Sequence, residues 1–177
     1  MVADRFSTTW IRIILFNLVA AALTGVSLRY AFVTDMQWFN YKNTLHAHSH
    51  LAMLGWIQSA LLLLIVKFFD LDVKRYSSAF IFLQIAIAAM FISFLFMGYG
   101  VSSIGFLIIH MLVTYYIIIK MWKDASNTIT GSRTSSNSVS VIFLKTAFVF
   151  FILSTTSIWA IGPIIMSSMK GTALYYA

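Results

Sequence analysis

The sequence contains no cysteine, one proline and few charged residues. Without cysteine it can form no disulfide, no thiolate zinc site, no iron–sulfur cluster and no covalently attached c-type haem. Only 10% of the 177 residues are charged, whereas a soluble domain carries about a quarter. It also has no serine in a nucleophile elbow and no glycine-rich phosphate loop, so neither hydrolase chemistry nor nucleotide-driven transport is expected.

What the sequence does contain is apolar. Hydrophobic residues make up 60% of it, and the mean hydropathy is +0.89. We therefore predict an all-α integral membrane bundle in contact with the lipid bilayer, folded as a single domain. Five apolar runs are long enough to cross a bilayer core of about 30 Å. These runs cover approximately residues 10–32, 45–68, 77–98, 102–122 and 140–165.

The segments between these runs have the composition of turns and loops. Gly98-Tyr99-Gly100 predicts a tight turn, and the Ser/Thr/Asn-rich stretch from Ser126 to Ser138 predicts a solvated loop. A basic residue, Arg5, precedes the first apolar run, as in a signal peptide. We nevertheless expect this run to be a retained membrane span. Polar Asn17, Gln58 and Gln84 lie inside apolar runs and predict hydrogen bonds between helices.

The net charge of +7 does not indicate a nucleic-acid partner, because most basic residues lie at the ends of apolar runs. Five spans put seven of them on the side of the N-terminus: Arg5, Lys67, Lys74, Arg75, Lys120, Lys123 and Arg133. Only Arg29, Lys42 and Lys170 flank the other side. The positive-inside rule then predicts a cytoplasmic N-terminus and an outer C-terminus, as in a protein of a bacterial inner membrane.

All four histidines lie in or beside predicted spans: His46, His48 and His50 open the second run, and His110 lies in the fourth. Imidazole is costly to place in lipid, so such a cluster needs protein partners, water, a metal or a cofactor. On a helix, His46 and His50 share one face and His48 points the opposite way. The face of His48 continues through Ala52, Gly55 and Ser59, which lets a helix or a flat macrocycle approach closely.

Depth in the membrane suggests a partner for His50. Counted from the outer ends of their spans, His50 and His110 both lie about six to eight residues in, or roughly 9–12 Å. Counted from the inner ends, His50 is 17 residues from Lys67 and His110 only 10 from Lys120, an offset of roughly 10 Å. We favour the outer count because lysine side chains snorkel. Two helices would then present imidazoles to one haem iron.

Non-covalent haem b is the form that a cysteine-free chain allows. Arg29, at the outer end of the first span, is the best candidate to bind the haem propionates, although it could instead anchor the helix at the interface. Purely structural roles are the alternatives for these residues. His110 could be a polar link between helices, His46 an interfacial residue, and the small residues around Gly55 a helix-packing surface.

The pattern His48-x-His50-x4-Gly55-Trp56, at the outer end of a membrane helix, resembles a motif of NnrS-type membrane proteins, which contain haem and copper and respond to nitric oxide. It is also similar to the helix that carries a low-spin haem ligand in subunit I of haem–copper oxidases and nitric oxide reductases. The resemblance implies a haem-binding membrane module in which His50 or His48 is one axial ligand and Gly55 and Trp56 belong to the same motif.

The chain departs from that family in size, because oxidase subunits have about twelve spans and a later trio of copper-binding histidines. We do not expect these 177 residues alone to build a complete oxygen-reducing centre. Homo-oligomerisation or entry into a larger respiratory complex could supply the missing helices. The leading hypothesis is electron transfer or nitric oxide chemistry, with a possible oxidoreductase activity. The alternatives are a copper- or zinc-binding protein using His46, His48, His50 and His110, and an accessory subunit of a respiratory complex.

Overall fold

The computed structural model describes residues 2–34, 39–131 and 135–166, and within these ranges it is helical with no strand. Its five helices are each long and apolar enough to cross a membrane, which confirms the predicted all-α class and an integral membrane protein. The helices are α1 (Val2–Tyr30), α2 (Tyr41–Phe68), α3 (Val73–Met97), α4 (Val101–Gly131) and α5 (Ser135–Met166). Arg133 and Lys170 lie outside the described residues.

Two compact units divide the chain, Met1–Asp124 and Ala125–Ala177. The first contains α1, α2, α3 and most of α4, together with all the histidines. The second contains α5 and the end of α4. The candidate site belongs entirely to the first unit.

Side-chain caps explain why two helices begin earlier than expected. The Asn40 side chain accepts a hydrogen bond from the Asn43 amide at 3.0 Å, so α2 starts at residue 41 rather than 45. Asp72 does the same for α3 by accepting from the Lys74 amide at 3.1 Å. Both caps satisfy backbone amides that have no partner within the helix.

The predicted loop from Ser126 to Ser138 is wrong at both of its ends. Helix α4 continues to Gly131, and α5 already begins at Ser135. Serine, threonine and asparagine cost only a few tenths of a kcal/mol each in a helix interior, and the stretch contains no proline. A long helix can therefore extend through residues whose composition is typical of loops.

Helix α3 supplies much of the core of the first unit. One of its faces is buried at every third or fourth position, as the helical period requires, and it contacts both α1 and α2. This face consists of Tyr76, Phe80, Leu83, Ile87, Met90 and Phe94. Large apolar side chains such as Phe16, Phe82 and Phe96 stay exposed, as expected of surfaces that face lipid.

Polar side chains cross between helices inside this core, as predicted. Asn17 on α1 donates to the Gln84 side chain on α3 at 2.8 Å, and Gln84 donates to Ser59 on α2 at 3.2 Å. Gln58 on α2 donates to Thr114 on α4 at 2.8 Å. These bonds tie all four helices of the unit together in a region with little water to replace them.

The predicted tight turn between α3 and α4 is also confirmed. Gly98 ends α3 with a φ of +57° and a ψ of −137°, a conformation that residues with a side chain rarely adopt. A Cβ at this position would collide with the Asn43 side chain of α2. The glycine thus allows the α3–α4 connection to pass close to the start of the histidine-bearing helix.

Replacing Gly98 by alanine is expected to lower the free energy of unfolding by about 1–3 kcal/mol, because the positive φ becomes strained. Thermal unfolding of the detergent-purified protein, followed by tryptophan fluorescence, measures the change. Gly105→Ala is the matched control: it lies in helix α4 and an added Cβ meets nothing within 4 Å. Equal melting temperatures for the two variants would contradict this explanation of the turn.

Candidate cofactor site

The three histidines of α2 lie at the end of the unit where α1 and α3 finish and α4 begins, called here the histidine end. Helical spacing divides them as predicted. His48 contacts α1 through Ala21, whereas His46 and His50 contact Tyr99, in the turn between α3 and α4. The three histidines therefore lie in two separate environments.

His48 is held by a hydrogen bond to α1. Its Nδ1 lies 2.9 Å from the Ala21 carbonyl oxygen. Because a carbonyl oxygen can only accept, Nδ1 carries the proton of the neutral ring, and the lone pair is on Nε2. Among the described residues, Nε2 has no hydrogen-bond partner. This is the arrangement of a metal-binding imidazole, whose second nitrogen is usually tied to a carbonyl or carboxylate.

Gly25 provides the space for this contact, since it lies one helical turn after Ala21 on α1. A Cβ on Gly25 would approach the Cε1 atom of His48 to 2.9 Å, closer than real Cβ atoms come to such neighbours. The glycine therefore lets the imidazole lie against the α1 backbone. The contacts of Gly25 and Ala21 with His48 were not predicted from the sequence, although Gly25 precedes Arg29 by one helical turn.

An open cleft of about 680 Å³ lies beside His48 between α1 and α2, within the usual range for cofactor pockets. Exposed Arg29 lines it with His48, so the structure brings together two of the predicted residues. The rest of the lining is mainly apolar or aromatic and includes Val26, Leu28, Phe32, Tyr41 and Leu45. The cleft thus combines a nitrogen donor, a cation and an apolar wall.

His46 and His50 pack in an aromatic cluster on the other side of α2. The His46 ring lies 4.5 Å from that of Tyr99, and the His50 ring lies 4.4 Å from that of Phe94. The Tyr99 hydroxyl can donate a long 3.4 Å hydrogen bond to His50 Nε2, and burial raises the pKa of this hydroxyl above its ordinary value. The contact of Tyr99 with the histidines was not predicted from the sequence. Its position between Gly98 and Gly100 was the sequence feature that could have indicated it.

His110 is almost completely enclosed, with 1% of its surface exposed. Neither ring nitrogen has a hydrogen-bond partner among the described residues, although such groups are normally satisfied when buried. Its imidazole lies within electrostatic range of His50. The outer-end count also agrees: His50 is nine residues beyond Tyr41 (50 − 41), and His110 nine beyond Val101 (110 − 101).

Lys67 and Lys120, from which the inner-end count was made, do not mark one common depth in the membrane. Lys67 is next to the end of α2, whereas α4 continues for eleven residues beyond Lys120 (131 − 120). The Lys120 ammonium bends to the Arg75 carbonyl and lies 5.0 Å from the centre of the Tyr76 ring. This explains the offset in the inner-end count physically.

Directly after His50, α2 becomes a π-helix from Leu51 to Gln58. This segment is longer than the usual single-turn π-bulge, a feature common at functional sites. At its end the Ser59 amide bonds to the Trp56 carbonyl, and Asn17 of α1 donates to the Gly55 carbonyl at 2.9 Å. Gly55 is buried, and Trp56 is half-buried. Gly55 therefore serves here as a packing and hydrogen-bonding position beside the histidines.

No group of three His, Asp or Glu side chains positioned to hold a metal ion occurs in the described part of the chain. His110 is buried within α4, whereas His50 on α2 is half-buried. His48, on the opposite face, is the histidine that combines an oriented ring with an adjoining cleft.

Comparison of the chain with protein-family models, with curated proteins and with solved structures gave no match.

Replacing Asn17 by leucine is expected to lower the free energy of unfolding by about 1–2 kcal/mol, because both the Gly55 carbonyl and the Gln84 oxygen lose their donor inside the membrane region. Chemical unfolding in mixed detergent measures the loss. Ser27→Ala serves as a control, since this hydroxyl bonds only within its own helix. Equal stability of the two variants would show that the Asn17 bonds contribute nothing.

Proposed function

We propose that this protein is an integral membrane b-type haem protein in which His48 provides an axial ligand through Nε2. The supporting observation is the hydrogen bond from His48 Nδ1 to the Ala21 carbonyl. It selects the tautomer that presents Nε2 as a ligand and limits rotation of the ring. The resemblance of the motif to NnrS-type proteins and to subunit I of haem–copper oxidases agrees with this role.

The residues around His48 suit a large, flat and amphipathic group. The volume of the cleft is of the order that a cofactor needs, and its apolar wall suits the macrocycle. Gly25 has no side chain and therefore leaves space beside the imidazole. Arg29 provides the counter-charge for a carboxylate, and its guanidinium can bind one in bidentate fashion. The donor set therefore fits haem b, with Arg29 as the proposed propionate partner.

Bound haem would supply one-electron redox chemistry and, with an open axial position, a site for a gas such as nitric oxide. This chain would hold the group through His48, orient its charged edge through Arg29 and limit water through the apolar wall. His48 is the one histidine among the described residues that line the cleft. We therefore propose that a second axial ligand, where present, comes from another copy of the chain or from a larger respiratory complex.

The orientation in the membrane is part of this proposal. Five basic residues lie in the parts of α2, α3 and α4 that are remote from the histidines: Lys67, Lys74, Arg75, Lys120 and Lys123. The positive-inside rule then puts the histidine end at the outer face of a bacterial inner membrane. The proposed haem would thus lie near the outer leaflet, where a redox partner outside the cell membrane could reach it.

A second candidate function is copper or zinc binding. The observation in its favour is the enclosed His110, whose ring nitrogens have no partner in the described structure and which lies near His50. Imidazole nitrogen is a good ligand for both metals. That His50 and His110 are the two axial ligands of one haem stays a prediction. The role of His46 as a ligand also stays a prediction.

The haem proposal is tested by the Soret absorbance of protein purified from cells supplied with haem. His48→Ala is expected to lower the haem content per chain at least tenfold, because mutating even the partner that supports a metal ligand typically costs about 10–100-fold in affinity. Arg29→Gln should reduce haem retention less, because it removes only the charge partner. His46→Ala is the matched control, two residues away on the other face.

A colourless wild-type protein would overturn the proposal. Haem loss in His50→Ala and His110→Ala with retention in His48→Ala would instead support the earlier prediction that those two residues form the axial pair. Metal analysis of the haem-free protein separates the second candidate: stoichiometric copper or zinc that is lost in His110→Ala would favour metal binding.

A further inference from the structure

We propose that a groove at the end opposite the histidines binds one anionic phospholipid, with the phosphate at its mouth and an acyl chain along its floor. The groove lies between α3 and α4 and has a volume of about 470 Å³. It belongs wholly to the first unit and shares no residue with the His48 cleft. The proposal is independent of haem binding.

The polarity of the groove changes along the helices as it does along a phospholipid. On α3 the lining passes from Arg75 and Ser78 to Phe82, and on the antiparallel α4 it passes from Lys120 through Tyr116 to Leu112. Each series follows one helical face, at spacings of three or four residues. Seven residues separate Arg75 from Phe82 (82 − 75), which is about 10 Å along the axis. A charged mouth therefore leads into an apolar channel.

Neighbouring contacts hold the two cations at the mouth. Arg75 Nη1 lies 3.0 Å from Asp124 Oδ1, yet 56% of the Arg75 side chain is exposed, and a guanidinium has further N–H donors. Lys120 donates to the Arg75 carbonyl, and its ammonium lies 5.0 and 5.8 Å from the Tyr76 and Tyr116 ring centres. Two positive charges against one carboxylate leave a net charge of +1 for a phosphate.

The apolar floor favours a lipid over a soluble anion. Phe82, Leu112 and Tyr116 are each more than half exposed, and they lie within predicted membrane spans. An acyl chain can cover them, whereas a free phosphate leaves them as they are. Basic pockets between membrane helices on the cytoplasmic side are typical sites for anionic headgroups. The charge distribution along this chain assigns the same side to the groove.

The test is native mass spectrometry of the full chain in neutral detergent, titrated with phosphatidylglycerol or with phosphatidylcholine of the same acyl composition. Wild-type protein is expected to retain one phosphatidylglycerol at least tenfold more strongly than phosphatidylcholine. Lys120→Gln should abolish this preference. Ser78→Trp, which fills the groove without changing a charge or removing a hydrogen bond between helices, should reduce binding of the same lipid.

Lys74→Gln is the matched control, because it removes the same charge next to Arg75 but does not line the groove. Its lipid preference should stay within about twofold of the wild type. Equal binding of the two lipids by the wild type would overturn the proposal. So would an equal loss in Lys74→Gln and Lys120→Gln, which would indicate only diffuse surface charge, or unchanged binding by folded Ser78→Trp.

Discussion

The functional interpretation depends on one hydrogen bond, from the His48 ring to a backbone carbonyl of the neighbouring helix. A backbone acceptor cannot titrate or change rotamer, so it fixes the ring more firmly than a mobile side chain would. The bond forms because Gly25 lets the imidazole approach α1 closely. It gives a histidine on an apolar helix a fixed ring orientation beside a cleft.

Within the first unit, hydrogen bonds near the middle of the helices support that arrangement. The π-helix begins immediately after the last histidine of α2, and Asn17 bonds to its Gly55 carbonyl from the same helix that holds His48. Two contacts therefore fix α1 against α2, one at the histidine level and one deeper. In lipid, where packing and hydrogen bonds rather than hydrophobic association hold helices together, such paired contacts set the distance between helices.

The two ends of this unit have different chemistry. At one end, the proposed cofactor site combines His48 and Arg29 with an apolar and aromatic wall. At the other, Arg75, Lys120 and Asp124 form a charged layer above apolar helix faces. Both proposed ligands are amphipathic, and each groove has its charged group towards a helix end and apolar residues beside it. The same physical logic, an apolar body in the membrane with its charge at the interface, applies to both.

Hydropathy alone was enough to predict the five helices, and the glycine pair around Tyr99 predicted the turn. Helical spacing predicted that His48 faces away from His46 and His50, because side-chain direction follows the helical period. The contact of His48 with Ala21 and the π-helix could not be predicted, since both depend on how α1 packs against α2. The prediction of a loop from Ser126 to Ser138 was wrong at its ends. A Ser/Thr/Asn-rich composition favours a loop only weakly where no proline or cap interrupts a helix.

The most direct test of the central claim is chemical rescue in His48→Gly. Removing the ring should leave a space next to Gly25 that free imidazole can enter, so millimolar imidazole should restore the Soret band lost in this variant. His50→Gly and His110→Gly should retain the band without imidazole. A His48→Gly protein that binds haem as the wild type does, or one that stays colourless with imidazole while remaining folded, would contradict the assignment of His48 as the ligand.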